Sequence, residues 1–109
     1  MSKINLSIKQ TLSAARLERI AIFSEELGES QQVVGKILRH GPNSFNPFDK
    51  KQRTNIELLE DEIGDVLLSI GLMLEAGDIN PLNVKRRICD KVEKIKTYIH
   101  EEENIHLLN

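Results

Sequence analysis

The sequence predicts an all-α protein, a bundle of three to four helices completed by homo-oligomerisation. Three observations lead there. Apolar residues between Leu17 and Leu38 recur at steps of three, four or seven, which is the helical period. Capping signals and Gly or Pro stops fall where helices would begin and end. No segment reads as a strand of a sheet; Ile4, Leu6 and Ile8 alternate with polar residues and suggest only a short extended lead-in.

The first helix starts at a capping box of Ser7 and Gln10, with Thr11 and Ser13 as later starting points. It runs through Arg39, with room for a break near Leu12. Leu17, Ile20, Phe23, Leu27, Val34 and Leu38 form its apolar stripe. His40-Gly41-Pro42 ends it, because Gly suits the left-handed position after a helix and Pro cannot continue one. Residues 41–54, GPNSFNPFDKKQRT, form a loop. Thr54 and Glu57 make a second capping box, and the second helix runs from Asn55 to about Ala76, stopping at Gly77. Asn80 caps a last helix that has Pro81 in its first turn and continues to about Glu103. The tail, 104–109, is expected to fray.

The chain of 109 residues has the size of a single domain, 1–109. Lys+Arg number 15 against 17 Asp+Glu, a net charge of −2, which argues against nucleic acid as a partner. A lone cysteine, Cys89, excludes an internal disulfide framework and a cysteine-based zinc site; it reads as a small core residue. The N-terminus lacks the pattern of a secretory signal. The uncharged run Val66–Leu74 is too short to span a bilayer. A cytoplasmic protein with no membrane partner is expected. A core this small makes self-association, as a homodimer or homotetramer, the expected state.

Two acidic clusters carry the functional argument. Glu25, Glu26 and Glu29 lie on the first helix, Glu62 and Asp65 on the second. Residues three or four apart share a helix face, so Glu26 pairs with Glu29 and Glu62 with Asp65. Ile22, Glu26, Glu29, Val33 and Ile37 form a strip beside the apolar stripe. Glu62 and Asp65 share a side with Leu58, Ser69, Leu72 and Met73, and the following run is apolar nearly all round. Either cluster alone reads as a solvated helix face. Together, each set among apolar neighbours, they read as carboxylates brought face to face. Partly buried carboxylates need neutralising. Hard oxygen donors with no His or Cys among them select Mg²⁺, with Mn²⁺ also suitable. Gly28, Gly35, Gly64 and Gly71 suggest close helix–helix packing first and room for a ligand second.

The pattern Glu-Glu-x-x-Glu, a loop, then Glu-x-x-Asp-Val-Leu resembles the MazG-like all-α nucleoside triphosphate pyrophosphohydrolases, relatives of dimeric dUTPases. The resemblance covers about residues 17–75. It implies Mg²⁺-dependent cleavage of an NTP or dNTP to the monophosphate and pyrophosphate, as nucleotide-pool house-cleaning. It implies that Glu26, Glu29, Glu62 and Asp65 bind metal and that Glu25 orients or deprotonates the attacking water. A base-selective enzyme resembling dUTPases or dCTPases is the alternative within the superfamily. A non-catalytic helical interaction module is the alternative outside it. Two features depart from the family: the interval from Glu29 to Glu62 is long, and Val66-Leu67-Leu68-Ser69-Ile70 holds no His where the phosphoribosyl-ATP branch has one.

Candidate substrate-binding residues are Lys36, Arg39, Lys91, Lys94, Tyr98 and Phe48. Lys50, Lys51 and Arg53 make the loop basic, and Lys36, Arg39 and His40 precede it; any of these could meet phosphates, and solubility is the plainer explanation for all of them. Phe45 and Phe48 read first as anchors of the loop on the core and second as stacking surfaces for a base. Lys91, Lys94 and Tyr98 follow at helical steps and share one face, suited equally to a polyphosphate or to solvent.

Overall fold

The computed structural model describes residues 13–96 and residue 98. Among these the protein is all-helical, with three helices: α1 (Ala14–His40), α2 (Asn55–Glu75) and α3 (Pro81–Ile95). No strand occurs among the described residues; a single isolated bridge pairs Phe45 with Thr54. The chain divides into two compact units, one ending at Ala76 and the other beginning at Gly77.

Helix α1 begins at the last of its possible caps. Ser13 accepts a hydrogen bond from Arg16 N at 3.1 Å, which satisfies one of the amides a helix start leaves open. The earlier start at Ser7 and the lead-in from Ile4 to Ile8 lie outside the described residues. Gly41 ends α1 by donating its N–H to Ile37 O at 2.7 Å. Its φ of 89° and ψ of 163° belong to a region open essentially to glycine alone.

Hydrogen bonds, more than apolar anchors, hold the loop that follows. Asp49 accepts from Arg53 N at 2.9 Å and from Lys51 N at 3.3 Å. Arg53 also donates through its side chain to Asp49 and Asp61. These donors, the Arg53 amide first, hold the Asp49 carboxyl below the usual carboxylate range. Asn55 N donates to Ser44 O at 2.8 Å and Ile56 N to Pro42 O at 2.9 Å. Phe45 and Phe48 remain 48% and 89% exposed, so the expected anchoring on the core is not found.

The capping box at α2 forms as the sequence predicts. Thr54 accepts from Glu57 N at 3.2 Å, and Glu57 accepts from Thr54 N at 3.1 Å. Helices α1 and α2 pack as an antiparallel hairpin: the end of α1 meets the start of α2, and residues 26–29 meet residues 62–65.

The seam between them differs from the expected core. The strip bearing Ile22, Glu26, Glu29, Val33 and Ile37 is buried or half-buried. The apolar stripe beside it is largely exposed, Leu38 at 81%. On α2 the buried positions are Asn55, Ser69 and Met73, whereas Leu67 and Leu68 are 61% and 64% exposed. The Ser69 hydroxyl donates to Val66 O at 2.7 Å, which is how a hydroxyl is accommodated at full burial.

In the second unit Asn80 caps α3 by accepting from Leu82 N at 2.9 Å. The helix stops at Ile95, short of the expected end near Glu103, and Tyr98 N donates to Ile95 O in a turn beyond it. Tyr98 therefore falls outside the helical spacing that grouped it with Lys91 and Lys94. No helix among the described residues is long and apolar enough to cross a membrane.

Thr54→Ala removes the side-chain half of the capping box, while the residue-54 amide still reaches the Glu57 carboxylate, and is expected to cost about 1 kcal/mol, read as a lower urea midpoint at unchanged slope.

Candidate metal centre

The hairpin brings four of the five predicted acidic residues together. Glu26 and Glu29 come from consecutive positions of one strip of α1, Glu62 and Asp65 from successive turns of α2. One ligand oxygen from each can be chosen so that all four lie within 4.8 Å of one another. Glu26, Glu29 and Glu62 are half-buried and Asp65 is exposed.

This crowding has electrostatic consequences. Partial burial, then the nearby charges of Glu29, Asp65 and Glu25, push the Glu26 carboxyl above the ordinary range. Glu62 is raised likewise, by partial burial first and then by Glu29, which lies within hydrogen-bonding reach, and by Asp65 and Glu26. One oxygen of Glu26 and one of Glu62 are shielded from solvent and have no hydrogen-bond partner. A cation would meet both needs, compensating the charge and supplying the shielded oxygens with a partner. Four carboxylates without nitrogen or sulfur donors fit a hard divalent ion such as Mg²⁺ or Mn²⁺.

Glu25 is exposed, about 100° round the helix from Glu26, and stands outside the quartet, although its charge is felt at Glu26. Lys36 and Arg39 line a cavity of about 380 Å³ where the end of α1 meets the loop and the start of α2; His40, Phe45, Asn55 and Leu58 also line it. Phe48 does not line this cavity. Its neighbour Phe45, weighed first as an anchor, does. Asn55 was missed because it follows Thr54 directly and the sequence reading used it only to start a helix. Arg53 is engaged by Asp49 and Asp61. Lys91, Lys94 and Tyr98 belong to the second unit and are exposed there.

Among the described residues, Gly28, Gly35, Gly64 and Gly71 do not serve close helix packing. A Cβ placed at Gly28, Gly64 or Gly71 would meet nothing within 4 Å, and at Gly35 only the Arg39 side chain at 3.4 Å. Gly28 and Gly35 instead border a shallow groove of about 530 Å³ along α1.

Comparisons of the chain with protein-family models, curated proteins and solved structures gave no match.

The raised carboxyls set the sign of the pH dependence. A folded-state pKa above the ordinary 4.5 means that the folded protein binds protons more readily than the unfolded chain, so stability falls as pH rises from 4.5 through the raised value. Glu26→Gln is expected to raise Tm at pH 7 in a chelator, with the gain shrinking toward pH 4.5. Added Mg²⁺ should stabilise the wild type more than the variant.

Proposed function

We propose that the protein is a divalent-cation-dependent nucleoside triphosphate pyrophosphohydrolase. The reading rests on one observation: carboxylates from two helices converge on a common point with shielded, unpartnered oxygens. In this reading Glu26, Glu29, Glu62 and Asp65 hold Mg²⁺ or Mn²⁺. When bound, the ion supplies charge neutralisation on the polyphosphate and Lewis acidity. Glu25, on the solvent side of the cluster, orients the attacking water and accepts its proton. Lys36 and Arg39 draw the anionic substrate toward the hairpin. Cleavage of the α–β phosphoanhydride gives a nucleoside monophosphate and pyrophosphate. The sequence pattern of the two acidic motifs supports the same reading.

The partner that covers the exposed apolar faces is, in this reading, a second copy of the chain. Leu27, Val34 and Leu38 on α1 and Leu67 and Leu68 on α2 are all exposed around a hairpin whose buried seam is partly polar. Faces of that extent are seldom left to water, and a self-complementary pairing buries them on both copies.

A panel of NTPs and dNTPs with pyrophosphate detection tests the chemistry. At least one should be cleaved with Mg²⁺ and none in a chelator. Glu29→Gln and Asp65→Asn should each lower kcat/KM by about 10²-fold or more, the scale of losing one preorganised charge-stabilising group. Absence of hydrolysis across the panel, with the assembly intact, would favour an interaction module instead. Sedimentation equilibrium tests the assembly: the wild type should run as a dimer or tetramer, and Leu38→Glu or Leu67→Glu should shift it toward monomer. A wild type that is monomeric at all concentrations refutes the self-association.

A further inference from the structure

We propose that the cavity between the end of α1 and the start of α2 holds the nucleoside end of the substrate, with the base against Phe45; this rests on the pyrophosphohydrolase reading above. Lys36, Arg39 and His40 line the cavity and no carboxylate does, although acidic residues outnumber basic ones in the chain. The cavity therefore favours a ligand bearing negative charge. Phe45, Pro47 and Leu58 add apolar wall, so the ligand also carries a flat or apolar part. A nucleotide has both.

The placement fits the direction of the substrate. Lys36 follows Glu29 by seven residues, two turns of the same strip and about 10 Å of helix rise. A polyphosphate reaching the carboxylates from this cavity passes Lys36 on the way, and the sugar and base are left beyond it.

The walls are fixed before any ligand arrives. Asn55 is only 5% exposed, and its Nδ2 donates to Gly41 O at 3.0 Å, which sets the plane of its amide at the cavity. An amide offers a donor and an acceptor side by side, the pair that reads a base edge. The Phe45–Thr54 bridge and the bonds from Asn55 N and Ile56 N hold the loop residues that line the cavity against the start of α2. Phe45 keeps a half-exposed ring in a segment otherwise held by hydrogen bonds, which leaves that ring available for stacking. A loop of this length with its own bonding network is characteristically a binding element.

The test is NMR titration of the ¹⁵N-labelled full chain, in a chelator, with AMP, GMP, CMP, UMP and inorganic phosphate. At least one monophosphate should move the amide resonances of Ser44, Phe45, Asn46 and Asn55. Phe45→Ala and Arg39→Ala should each weaken it tenfold or more. Both substituted side chains are exposed, and if one variant fails to fold the other carries the test. Three results overturn the proposal: no monophosphate moves these resonances, Phe45→Ala binds as well as wild type, or phosphate binds as tightly as the nucleotides. The panel of triphosphates separates this from the parent reading. Binding here without pyrophosphate release sinks the enzyme and keeps the cavity assignment. Hydrolysis whose base preference survives Phe45→Ala sinks the cavity assignment and keeps the enzyme.

Discussion

Mutual repulsion among carboxylates held at a helix–helix contact is the constraint around which this hairpin is organised. Like charges on neighbouring turns oppose folding, and partial burial adds to the opposition by weakening solvation. A chain under no other demand would turn such residues outward. Here Glu26, Glu29 and Glu62 lie on the inner strips of both helices, and only Asp65 is exposed. The arrangement is stable only if the rest of the hairpin offsets it. Among the described residues of that unit Val33 and Met73 are the buried apolar side chains, and capping and loop hydrogen bonds at the far end contribute further.

Placement of the loop follows from the same division of labour. The acidic end of the seam resists close approach, and the opposite end is joined by backbone bonds from Asn55 N to Ser44 O and from Ile56 N to Pro42 O and by the Asn55 side chain donating to Gly41 O. Gly41 allows the chain to leave α1 at an angle open essentially to glycine alone. Asp49, bonded to two backbone amides and the Arg53 side chain, closes the loop on itself. Charge is thereby segregated along α1, acidic at Glu26 and Glu29 and basic from Lys36 to His40.

Much of this was legible in the sequence. Caps at Thr54 and Asn80, the stop at Gly41 and the pairing of Glu26 with Glu29 and Glu62 with Asp65 follow from local rules that depend on a few adjacent residues. Burial was less legible. The apolar spacing of α1 favours the stripe from Leu17 to Leu38 as the inner face, yet the strip with the glutamates faces α2. Periodicity identifies which residues share a face and says nothing about which face meets which neighbour. The same gap explains Phe45 and Phe48: large aromatics predict burial on average, and only the hydrogen-bond network of Asp49 makes their anchoring unnecessary. The glycines misled for a related reason, since a missing Cβ marks a close contact or an open groove with equal economy.

The seam of the hairpin mixes polar and apolar groups: Ser69 and Asn55 are buried alongside Val33 and Met73, while Leu38, Leu67 and Leu68 face outward. Burying the exposed leucines of α1 and α2 would add transfer free energy that the hairpin alone leaves unrealised. In the proposed assembly, a second copy covering those leucines would contribute to folding as well as to association. If the proposed self-association holds, native-state stability would rise with protein concentration and fall on dilution.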